Sequence, residues 1–153
     1  MMRTWYDNLV NVFGQVLYKD HQLLELMLVP KTDQKNPIAL RNKYIVMDDM
    51  ADKLLVDEAV RILYDEDACV KIDRNVQIKY VDFSIYVRND QMYNVEVNRL
   101  VRRDVRIAER IRHLLHGRLL FDVKFQYEDS YPSPTRAEGY SCYTVLFSYK
   151  ITV

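Results

Sequence analysis

The sequence predicts an α+β fold, a mainly antiparallel sheet covered by helices on one face, within a single domain over residues 1–153. Three observations carry that expectation. Near the C-terminus Tyr143, Val145, Phe147, Tyr149, Ile151 and Val153 recur at a period of two, the pattern of a strand with one buried face. Upstream, Val101, Val105, Ala108, Ile111 and Leu115 recur at helical spacing, with Ile107 and Leu114 beside them. Strand-like segments also come in runs, with the helices segregated from them. A chain of 153 residues, 49% of them hydrophobic, is long enough to enclose one core and too short for two full domains.

Taken in order, Trp5, Leu9, Val12 and Val16, widened by Tyr6, Phe13 and Leu17, predict an amphipathic helix over residues 3–18. Asp20 is placed to cap a second, short helix through Leu23, Leu24 and Met27 that Pro30 ends, so residues 1–30 form an N-terminal helical segment. The polar stretch 31–36 reads as a loop. Short apolar runs at 44–47 and 59–64 read as strands flanking an acidic segment, with Asp65, Glu66 and Asp67 marking where the second strand leaves the sheet for solvent. In 76–88, Val76, Ile78 and Tyr80 share one face and Val81, Phe83, Ile85 and Val87 the other. That slip implies either a bulge or a strand that changes which surface it buries. A polar link at 89–91 leads to a long helix over 97–116, stopped by Gly117. Phe121, Val123, Phe125 and Tyr127 then alternate with polar residues as a half-buried strand. A long loop over 129–139, with Pro132 and Pro134, joins it to the last strand.

The charge balance of 22 basic against 22 acidic residues gives no whole-molecule attraction to nucleic acid or to an anionic membrane, so any such role needs a local patch. No apolar stretch approaches the roughly 20 residues that cross a bilayer, and the first residues lack the apolar core of a secretion signal. A soluble protein made in the cytosol, with no membrane partner, is the expectation. Cys69 and Cys142 match no metal or redox spacing and read as two reduced thiols.

Two patterns invite chemistry. Asp122-Val123-Lys124 places an acid and a lysine on one strand face, as in metal-dependent nucleases of the PD-(D/E)xK type. There, with Asp82 or Asp73 as a further acid, a carboxylate would hold the metal and the lysine would orient the water. The same two residues equally describe the solvent face of an amphipathic strand. Glu109, His113 and His116 share a helix face and could be imagined around a metal ion, but arginines crowd them and no second ligand segment is visible. With three glycines in the chain, phosphate-cradling loops are nearly excluded. The expectation is a protein without catalytic residues, metal or cofactor, with the nuclease as the alternative.

Charge patterning points elsewhere. Arg99, Arg103, Arg106 and Arg110 fall on one face of the expected helix, whereas residues 48–67 form an acidic block, so zero net charge hides two regions of opposite sign. Such flanks set register between copies of a chain, and a head-to-tail contact closes into a ring when its rotation divides a full turn.

The run Asp20-His21-Gln22-Leu23-Leu24-Glu25-Leu26, then Val60-Arg61-Ile62-Leu63-Tyr64, then Phe83-Ser84-Ile85-Tyr86-Val87, a helix ending Ile111-Arg112-His113-Leu114-Leu115 and a long-looped hairpin resembles the small neck proteins of tailed bacteriophages. Within them it is most similar to the tail terminator, or tail-completion, group. The resemblance implies a structural virion protein at the head–tail junction. It would form a hexameric ring that ends the tail tube, meets the connector and lets DNA through its centre. Its partners would be itself, the tail tube protein and the head connector proteins, with transient DNA contact. A head-closure or adaptor ring shares the same outline. On that reading Tyr131, Pro132, Pro134 and Arg136 of the long loop form an assembly contact, and the strand holding Tyr80 and Tyr86 bridges subunits. Arg99, Arg103, Arg106 and Arg110 face either a neighbour's acidic block or the DNA channel.

Overall fold

The computed structural model describes residues 12–47, 58–71, 73–96, 98–120 and 123–152, with the side chains of 67–71, Val95 and Thr152 left aside. Trp5, Leu9, Asp122 and residues 48–57 of the acidic block lie outside the described residues. Helices α1 (residues 12–16), α2 (His21–Leu26), α3 (Lys31–Gln34) and α4 (Pro37–Ala39), followed by a wide helical turn at Leu40–Tyr44, precede strand β1 (Ile45–Met47). Next come β2 (Val60–Lys71), β3 (Val76–Arg88), β4 (Tyr93–Glu96), β5 (Arg99–Arg102) and α5 (Arg103–Leu115). The chain closes with β6 (Leu119–Leu120), β7 (Val123–Lys124), β8 (Gln126–Ser133) and β9 (Tyr140–Thr152).

Five strands form the main sheet in the order β1-β2-β3-β9-β8, with β1 parallel to β2 and every other pair antiparallel. The fold is the α+β class that the periodicities predict. Phe83 lies opposite Val145 and Val81 opposite Phe147, so the alternating apolar residues of β3 and β9 make one continuous face. Phe13 of α1 drops onto that face, its ring 4.9 Å from Tyr64 and 5.1 Å from Phe83. Ile107, Ile111 and Leu115 of α5 complete the same core, all without measurable exposure. On the opposite face Val46, Leu63, Tyr86, Tyr140 and Cys142 form a smaller buried cluster, packed by Ala137.

Several boundaries differ from the sequence expectation, each for a physical reason. Residues 31–36 are not a plain loop. Pro30 leads into α3, and the Asn36 side chain accepts from the Ile38 and Ala39 amides with Pro37 at the first turn, so α4 starts at once. Strand β2 does not leave the sheet at Asp65. It stays paired through Asp67, opposite Asp82, Val81 and Tyr80, where Glu66 meets Lys79 at 2.6 Å.

The slip at Tyr80 is no bulge of β3, because β3 and β9 keep unbroken register from Val76 to Arg88. The irregularity lies on β2 between Asp67 and Val70. Strand β3 changes which surface it buries. From Val81 on, its odd-numbered residues enter the core, while Ile78 and Tyr80 sit half-buried on the other face.

The long helix begins at Arg103, not at residue 97. What precedes it is the β4–β5 hairpin, turned at Asn98 with φ 64°. Arg99 therefore lies on β5 and not on the arginine face of the helix. The strand expected at 121–127 is broken into the β6–β7 hairpin and β8. Strand β8 runs on to Ser133, so only residues 134–139 remain as loop. Pro132 is tolerated because β8 is the sheet edge, where a missing N–H costs no ladder bond.

Candidate interface surfaces

Local chemistry decides what the arginines can do. Arg110 donates through Nε and Nη2 to the two oxygens of Asp20 at 2.8 and 2.7 Å. Asp20 also caps α2 by accepting from the Leu23 amide at 2.9 Å. The hydrogen bonds from Arg110 hold the Asp20 carboxyl below its ordinary range, and the carboxylate raises Arg110 in turn. Arg106 bridges Glu109 and Glu96, at 2.7 and 2.9 Å, which fastens β4 to α5. Arg103 is 6% exposed and lies inside the chain. Its guanidinium donates to the carbonyls of Gln91 (2.8 Å) and Leu26 (2.9 Å), and desolvation lowers its pKa. Apart from Arg99, which is exposed on β5, the charge stripe visible in the sequence is thus a set of internal clamps between α2, α5 and the hairpin.

The remaining sequence-selected residues lie along β3, β8 and the loop after β8. Tyr80 is half-buried, and Tyr131, Pro132 and Pro134 are exposed. Arg136 folds back so that its Nε donates to the Tyr86 hydroxyl at 3.3 Å, and burial pushes that phenol and the neighbouring Cys142 thiol up. Tyr86 is 4% exposed, so it belongs to the smaller core and not to the surface of a single chain. Asp73 accepts from the Asn75 and Val76 amides as a turn cap, Asp82 lies opposite Asp65, and Lys124 is exposed on the separate β6–β7 hairpin. The Nδ1 of His116 accepts from the Tyr127 amide, and no group of three potential metal ligands gathers among the described residues.

Two surfaces that sequence reasoning passed over stand out. The β4–β5 hairpin forms a two-stranded sheet of its own, with Tyr93 and Leu100 at 59% and 68% exposure. Its register places both on one side, since Tyr93 faces Arg102 and Val95 faces Leu100. The alternation of Tyr93, Val95 and Val97 was the available signal, masked by the equal fit of Val97, Val101 and Val105 to helical spacing. The other surface is a groove of about 910 Å³ between α1, α2, α3 and α4. Tyr18, Leu24 and Leu40 line it as buried apolar groups, while Lys19, Lys31, Lys35 and Arg41 stand exposed around it. No acidic residue is among the described residues that line it.

No protein-family model matches the chain, and no curated protein is significantly similar to it.

Proposed function

We propose that this chain is a ring-forming structural subunit of the head–tail junction of a tailed bacteriophage, ending the tail tube and joining it to the connector while DNA passes through. The β4–β5 hairpin is the observation that carries the assembly half of this reading. A lone two-stranded hairpin is only marginally stable in water. This one is held at its root by the Arg103 amide on the Met92 carbonyl at 2.7 Å and beside its turn by Arg106 on Glu96, yet it turns apolar side chains outward. A pre-ordered arm with an exposed apolar face suits docking on a neighbour, because little freedom remains to be lost on contact. Where arm and receiving surface differ, the contact is head-to-tail, and it closes as a ring when its rotation divides a full turn. The virion half rests on the order of elements that resembles tail terminators.

Electron microscopy of the purified protein tests assembly. Annular particles are expected, and Leu100→Asp should abolish them while changing the unfolding free energy by no more than about 0.5 kcal/mol, as for an exposed substitution. A wild type that scatters light as an 18.3 kDa particle at every concentration would overturn the ring. Mass spectrometry of separated virion tails and heads tests the location. Recovery with tails supports a terminator, recovery with tail-less heads a head-closure or adaptor ring, and recovery with neither overturns the assignment.

A further inference from the structure

We infer that the groove between α1, α2, α3 and α4 receives the acidic segment 48–57 of a second copy of this chain, an inference that rests on the ring reading for bringing copies into reach. On α5, Arg103, Arg106 and Arg110 are already held by groups of their own chain, and Arg112 lies over the Tyr127 ring. Around the groove the balance is different. Lys19, Lys31, Lys35 and Arg41 are exposed, and of the nearby carboxylates Asp20 is neutralised by Arg110, while Asp33 accepts from the Tyr44 hydroxyl and leaves the four cations in excess. Between the cations lies an apolar floor, with Ile38 at 64% exposure on its margin.

A surface of this kind matches a chain segment that is both acidic and apolar. Segment 48–57, which lies outside the described residues, has that composition in sequence. Asp48, Asp49, Asp52 and Asp57 stand against Lys53 alone, and Met50, Leu54, Leu55 and Val56 supply the apolar part. Single-stranded nucleic acid fits less well, because it binds on exposed ring faces. The Tyr18 ring in the floor is buried, and its hydroxyl donates to the Ile45 carbonyl at 2.9 Å.

The test is a fluorescein-labelled peptide of residues 47–58 titrated with the full-length protein, beside a scrambled peptide of the same composition. Saturable binding to the wild type is expected, weakened roughly tenfold or more by Lys31→Glu with Lys35→Glu and weakened by salt over the range where surface charges are screened. Both lysines are exposed, so circular dichroism should be unchanged. In the assembly test the Lys31→Glu/Lys35→Glu chain and an Asp49→Lys/Asp52→Lys chain should each fail to form rings alone and co-assemble when mixed. Absence of peptide binding, equal binding of the scrambled peptide, or indifference to the lysine reversal overturns the inference. So do reversed chains that assemble separately or fail to rescue each other. A wild-type ring indifferent to the lysine changes would sink the groove contact and leave the ring. A monomeric wild type that takes the peptide in the groove would sink the ring and the second copy as occupant together, since only the chain's own segment would then remain to fill the groove.

Discussion

Leu28 closes α2 in a conformation that side chains with a Cβ avoid, with φ 58°. Its amide reaches the Glu25 carbonyl at 3.0 Å and the Val29 amide reaches the Leu24 carbonyl at 3.1 Å, the paired bonds of a helix end normally occupied there by glycine. The left-handed state costs such a residue roughly 1–2 kcal/mol, and glycine's extra freedom when unfolded offsets part of the gain. Since Leu28 is already 40% exposed, Leu28→Gly should stabilise the fold, by about 0.5 kcal/mol after that offset. A higher urea midpoint would show it. A lower one would mean that the leucine side chain packs more firmly than its exposure implies. Asp20 makes a sharper case because it has two roles. Asp20→Asn keeps an oxygen for the Leu23 amide and loses the ion pair to Arg110, whereas Asp20→Ala loses both. We expect losses of about 1 and about 2 kcal/mol respectively. Because the folded carboxyl titrates below its unfolded value, its stabilisation is complete above about pH 4 and is lost as pH falls through the folded value. The gap in urea midpoint between wild type and Asp20→Asn should therefore be constant from pH 7 to 5 and close toward pH 2. A gap that widened in acid would refute the ion pair as its source.

Elements were legible where local pattern and tertiary burial agree. Strand β9 needed nothing beyond its alternation, and α2 was announced by Asp20. Residues 97–102 misled because Val97, Val101 and Val105 satisfy a helical spacing, while the turn depends on Asn98 adopting a left-handed backbone that no glycine advertised. The extension of β2 through Asp65, Glu66 and Asp67 rests on pairing with β3 and on Lys79, residues far along the chain that no local window contains. Prolines hid the end of β8, since an edge strand was the one place where Pro132 could remain in a sheet. As for the candidate site, the arginine stripe was visible, but its neutralisation by Asp20 and Glu96 was a tertiary fact. The groove was hidden because 31–36 read as loop. The hairpin's rigidity can be isolated experimentally. Glu96→Gln breaks the brace from Arg106, an ion pair whose two side chains are 28% and 29% exposed. Its global cost should be small, as for an ion pair within reach of solvent. Amide exchange across 93–102 should nonetheless accelerate, and ring formation should weaken. Unchanged exchange would show that the Arg103 contacts alone order the arm.

For the whole molecule, the arrangement of charge matters more than its sum. A ring through which a genome passes needs a surface that DNA touches without being held. Affinity for DNA grows with the number of phosphates that cations neutralise, and it falls steeply with salt. Here the cations of α5 facing Asp20, Glu96 and Glu109 already have counterions, so contact with a phosphate must break an internal pair before any ion is released from DNA. Other exposed cations, such as Arg74, Arg99, Arg118 and Lys150, lie on separate elements, whereas Lys19, Lys31, Lys35 and Arg41 gather around the apolar groove. Binding to a 30-base-pair duplex at about 150 mM salt should accordingly be no tighter than the weak end of non-specific association, about 10⁻⁴ M. Whatever binding remains at low salt should survive Arg110→Gln and diminish with Lys31→Glu/Lys35→Glu. Fluorescence anisotropy across a salt series reads both the constant and the slope. Micromolar affinity at 150 mM salt, lost with Arg110→Gln in a protein that stays folded, would mean that the α5 arginines exchange their internal carboxylates for phosphate. The passive-channel reading would then fall.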